Sequence, residues 1–132
     1  MMFGVDLVEL EEIKTNKHGT NLAIKFNVFP DEEMRKLGFT DYRKDHWYLC
    51  EQVDSECDIS FNVTIDKNKP NGGDSYIDVL DEEFLQPYDY QHILESNPNH
   101  SFANHVRNIV EKYMARLKDS GVISGHNYGD YI

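Results

Sequence analysis

The stretch Ser101–Ser120, "SFANHVRNIVEKYMARLKDS", decides the fold. Phe102, Val106, Ile109, Val110, Tyr113, Met114 and Leu117 share one stripe at 100° per residue, and Arg107, Asn108, Glu111, Lys112, Ala115 and Lys118 lie outside it. Gly121 follows as a C-terminal cap, so Val122 or Ile123 can pack back on the last turn. Burying the stripe contributes on the order of 10 kcal/mol before the ordering entropy is subtracted. A helix of this kind needs an apolar surface opposite it.

Asp58–Asp66 supplies that surface. Ile59, Phe61, Val63 and Ile65 alternate with Ser60, Asn62 and Thr64, which is the pattern of a strand with one buried face. Trp47–Val53 and Tyr76–Leu80 read as strands on either side of it. The loop "KNKPNGGDS", with Pro70 and Gly72-Gly73, joins Asp58–Asp66 to Tyr76–Leu80. Toward the N-terminus, Phe3–Ile13 reads as a strand, with a helix as the alternative for its second half, and it pairs as a hairpin with Leu22–Val28, where Leu22, Ile24, Phe26 and Val28 alternate. Pro30–Gly38 reads as a short helix, acidic at its start and basic at its end. A second short helix opens at Pro87 or just after it and runs through Leu94, where "ESNPNHS" stops it.

The order β-β-α-β-β-β-α-α lacks the βαβ alternation of a parallel sheet. It predicts an α+β fold: a twisted, mainly antiparallel sheet of about five strands with the long C-terminal amphipathic helix on one face. Residues 1–124 are expected to form a single domain, with 125–132 as a C-terminal tail. A chain of 132 residues at 39% hydrophobic content has enough apolar surface for a core without disulfides or metals.

Charge narrows the function. The net charge is -11, and residues 51–100 alone hold 12 acids and 2 bases. Such a field repels nucleic acid and anionic membranes and attracts basic surfaces. No apolar run approaches a membrane span, and "MMFGVDLVELEEI" carries acids where a signal peptide carries bases. A cytoplasmic protein is expected, with Cys50 and Cys57 as free thiols.

Signatures of chemistry are missing. His18, His46, His92, His100, His105 and His126 form no HxxxH or HExxH, and CxxC, GxSxG, Walker and GxGxxG patterns are absent. The Asp66–Ile77 stretch resembles a calcium loop only superficially, with proline at its fifth position and Ile77 at its twelfth. No cofactor, metal ligand set or catalytic residue is assigned.

What stands out is Asp78–Tyr90, "DVLDEEFLQPYDY", five acids and no base among aromatic and apolar residues. Asp78, Asp81, Glu82, Glu83 and Asp89 would steer a basic partner, and Phe84, Tyr88 and Tyr90 would supply contact area. Asp54, Glu56 and Asp58 alternate along their segment and would extend the row. The expectation is a non-catalytic domain that binds a basic protein. Its sharpest form is an inhibitor of a nucleic-acid-binding enzyme by charge mimicry, of the accessory kind that phages and mobile elements carry. Two other classes stay open: a small carboxylate- and histidine-dependent hydrolase or metal-dependent enzyme, and a homodimer or larger homo-oligomer with a structural role.

Overall fold

The computed structural model describes residues 14–125, so the Phe3–Ile13 strand and residues 126–132 of the tail lie outside the described residues. The fold is α+β. Strands β1 (Lys25–Phe26), β2 (His46–Gln52), β3 (Ile59–Asp66), β4 (Tyr76–Asp81), β5 (Gln86–Pro87) and β6 (Ile123–Ser124) accompany helices α1 (Asp31–Lys36), α2 (Tyr90–Ser96) and α3 (Ser101–Ser120). Strands β2-β3-β4-β5 form one antiparallel sheet in sequence order, and β1 pairs with β6 in a separate two-stranded sheet.

Strand β3 sits inside the larger sheet because it alternates cleanly. Phe61, Val63 and Ile65 are buried beside Trp47 and Leu49 of β2 and Ile77 and Val79 of β4. Helix α3 packs on this face through Ala103, Val106, Val110, Met114 and Leu117. Phe61 stacks on Tyr113 of the helix, with centroids 5.4 Å apart, and the Tyr113 hydroxyl donates to the Gln52 carbonyl at 2.9 Å. Phe102, placed in the stripe by its spacing, lies at the stripe's margin and meets Tyr88 edge-on.

The helix ends at Gly121, whose φ of 86° is the left-handed conformation that glycine adopts without a Cβ penalty. Its N–H bonds the Leu117 and Lys118 carbonyls, and Val122 N–H returns to Leu117. The chain then runs into β6, and Val122 and Ile123 are buried.

The run Leu22–Val28 differs most from its reading. Ile24 and Phe26 are buried, but Leu22 is exposed and only Lys25–Phe26 is strand. The partners of the strand itself come from far away: the Asn71 side chain accepts from Phe26 N–H at 2.7 Å, and β6 pairs with β1. Toward the expected hairpin, Thr15 bridges Asn21 and Leu22 N–H donates to the Lys14 carbonyl at 2.9 Å.

The segment from α1 to β2 is pinned around Trp47. Arg35 and Lys67 flank its buried ring, 5.3 and 4.2 Å from the centroid, and both reach Asp41 at 2.9 Å. The Lys67 hydrogen bond, assisted by Arg35, holds the Asp41 carboxyl below the usual range.

Candidate protein-binding site

Antiparallel order brings two turns to the same end of the sheet. One is the β2–β3 turn, closed by the bond from Val53 N–H to the Ile59 carbonyl. The other follows β4, and Glu82 N–H donates to the Asp58 carbonyl at 2.7 Å, tying the two together. Asp54, Glu56, Asp58, Asp81, Glu82 and Glu83 therefore collect at one end.

The carboxylates divide by what they hold. Asp54 is a structural anchor. Its Oδ2 lies 2.6 Å from His105 Nε2 on α3, and its Oδ1 accepts from Glu56 N–H. The segment is thus a tight turn rather than an extended row, because an aspartate side chain satisfies backbone donors two residues on. His105 chiefly, with the Glu56 N–H and the Cys57 thiol, holds the Asp54 carboxyl down at about 2.

That depression has a sign. Asp54 contributes stability at any pH above its ordinary value of 3.8, and the contribution is lost as pH falls toward 2. The deficit of Asp54→Asn relative to the native chain is therefore expected to be full at pH 5 and to shrink below pH 3, as read from denaturant midpoints.

Asp81 holds the second turn by accepting from Glu83 and Phe84 N–H. Glu82 accepts from the Ser60 hydroxyl at 2.5 Å. Asp78 lies away from the end, on the outer face of β4, bonded to Asn62 Nδ2 at 2.9 Å, and burial pushes its carboxyl up. Asp89 caps α2 by accepting from His92 N–H. Glu56, Asp58 and Glu83 are exposed, and their side chains hold no hydrogen bond or ion pair among the described residues.

The aromatic half of the expected surface needs correction. Tyr90 is fully buried, since the first turn of α2 directs it into the core, and it offers no area to a partner. Tyr88 is half-buried. Phe84, expected as contact area, is 66% exposed, and Leu85, not singled out by the sequence, is 76% exposed beside it at the tip between the acids. The Asp81 turn lifts both away from the core.

Leu85 has φ of 53°, a left-handed conformation that costs a residue with a Cβ about 1–2 kcal/mol. Leu85→Gly is expected to raise stability by about 0.5–1 kcal/mol once glycine's greater unfolded-state freedom is subtracted, as measured by urea unfolding. A natural chain that keeps leucine there gives up that stability.

Other clusters of reactive groups are engaged in structure. His46, Asp66 and Asp74 bring ligand atoms within 4.8 Å of one another at the opposite end of the sheet. Asp66 already accepts from Asn68 and Lys69 N–H, and Lys17 sits 3.2 Å from Asp74. The spacing of these three in sequence carried no signal, because the β2–β3 register sets His46 opposite Asp66. Cys57 and Cys50 are free thiols. Burial pushes the Cys57 thiol up, and its bond to Asp54 adds to this, the reverse of what activates a thiol as a nucleophile. His100 is a helix cap, its Nδ1 accepting from Ala103 N–H at 3.1 Å.

Comparisons with known proteins add the class of architecture. The sequence matches no protein-family profile and no curated protein. The crystal structure of a DUF1831 family protein from Lactobacillus plantarum is similar, with a TM-score of 0.52 at 12% identity, covering 76% of this chain and 82% of that one. At that identity the two share the α+β fold and its C-terminal helix. Among the described residues no helix is long and apolar enough to cross a membrane.

Proposed function

We propose that this protein binds a basic protein partner through the acidic end of its sheet, with Phe84 and Leu85 as the central contact. One observation carries the reading: two large apolar side chains are held in solvent, one on a strained backbone, inside a group of carboxylates. Apolar groups of this size are favoured at interface centres, and a ring of like charge around them steers association and selects the partner's sign. The exposed Glu56, Asp58 and Glu83 add the long-range field.

The partner chemistry that fits is a cationic surface with an apolar pocket at its middle. A nucleic-acid-binding enzyme offers that combination in its binding groove, which makes inhibition by charge mimicry the sharpest form of the reading. The test is capture from the source cell by the native chain and by a Phe84→Ala/Leu85→Ala chain, each at low and high salt. A basic protein retained only by the native chain at low salt, and displaced by a DNA oligonucleotide, supports the proposal. Equal capture by both chains contradicts it.

A further inference from the structure

The outer face of the sheet carries a cleft that the acidic end does not use. It opens over β2 and β3, encloses about 400 Å³, and is walled by Thr40, Tyr42, Tyr48, Cys50, Asn62 and Thr64. That volume lies within the range of small-molecule sites. No side chain lining it carries a charge, in a chain of net charge -11.

Two polar groups in it are unspent. Thr64 is 92% buried, being 8% exposed, and its hydroxyl makes no hydrogen bond among the described residues. The hydroxyl oxygen itself is reached by solvent, so it stands open to a ligand in the cleft. Asn62 spends its amide hydrogens on Ser60 Oγ and Asp78 Oδ1, both at 2.9 Å, which leaves its Oδ1 as an acceptor. The bond to a carboxylate fixes which end of the amide is which. Beside them the Tyr42 and Tyr48 rings stack, with centroids 4.6 Å apart and planes at 24°. Tyr42 is 78% exposed.

We propose that this cleft binds an uncharged, planar nitrogen heterocycle of the nucleobase or nucleoside class. Its ring would lie against the Tyr42–Tyr48 wall, with a lactam edge shared between Thr64 and Asn62. The asparagine oxygen accepts the ring N–H, and the threonine hydroxyl donates to the adjoining carbonyl. Stacking on tyrosine suits any such ring, and the hydrogen bonds select the edge. The charge of nearby Glu82, Glu51 and Asp78 is felt on this face: after burial, it raises the Cys50 thiol. The same field disfavours a phosphate, so the nucleoside is preferred to the nucleotide.

The experiment is a titration of the full ¹⁵N-labelled chain with uridine, guanosine, N3-methyluridine and uridine 5′-monophosphate, following the amides of Tyr48, Asn62 and Thr64. Uridine or guanosine should shift these amides. Thr64→Val, which keeps the β-branched shape, and Tyr42→Ala, at an exposed position, should each weaken binding by about tenfold. N3-methyluridine and the monophosphate should bind more weakly than uridine. The proposal is overturned if no nucleoside shifts these amides, or if neither substitution changes the affinity. It is equally overturned if the monophosphate or the methylated base binds as well as uridine.

Discussion

Phe61→Ala is expected to lower the unfolding free energy by about 3–5 kcal/mol, the range for removing a buried aromatic ring. Phe61 is fully buried in the middle of β3, the strand bonded on both sides, and its ring meets Tyr113 of α3. The Tyr113 hydroxyl, tied to the Gln52 carbonyl, holds the helix against the sheet beside this ring. A domain of this size has about 5–15 kcal/mol in total, so the variant should be marginal at room temperature. Phe102→Ala, on the same helix stripe, is the control. Phe102 is 37% exposed, and its loss should cost about 1 kcal/mol or less. Urea unfolding followed by the fluorescence of Trp47 measures both. Equal losses would mean that the sheet–helix contact is not where the stability lies.

The same contrast shows what the sequence could reveal. The 3.6-residue stripe of α3 and the alternation of β3 are local signals, and both elements stand where the spacing puts them. The margin of the stripe is less legible, since periodicity alone does not separate Phe102 from Val106. The Leu22–Val28 run alternates as cleanly as β3, yet among the described residues only Lys25–Phe26 of it is paired strand. What it pairs with, Asn71 and β6, is set by tertiary packing that no local pattern encodes.

At the candidate site the acids were visible by composition, but their assembly was not. It depends on two turns meeting at one end of an antiparallel sheet. The helix opens just after Pro87, capped by Asp89, and Tyr90 was misassigned because the first turn of α2 turns it into the core, which the sequence pattern did not show. Pro87 itself sits in β5, a two-residue edge strand, a position where a missing N–H is tolerated. The cleft on the outer face depends on the Thr40–Tyr48 bridge, which carries Tyr42 over β2 and has no counterpart in sequence spacing.

The partner surface yields the second large effect. Reversing every acid of the middle segment would confound binding with folding: Asp54 anchors α3, Asp81 shapes its turn, and Asp78 holds Asn62. The informative set is Glu56→Lys, Asp58→Lys and Glu83→Lys, three exposed residues whose side chains hold no hydrogen bond among the described residues. Together they should weaken partner binding by about a hundredfold near 50 mM salt and by much less near 300 mM, because rim charges act over a screened distance and mainly on association rate. Phe84→Ala/Leu85→Ala should cost about a hundredfold or more at both salts, as removal of two central apolar contacts does. Its effect should fall on dissociation. The two signatures are independent, and surface-plasmon kinetics at two ionic strengths separate them. If the charge reversals leave the association rate and its salt dependence intact while circular dichroism shows a native fold, the carboxylates are only a solvated edge and the partner's cationic character has no basis.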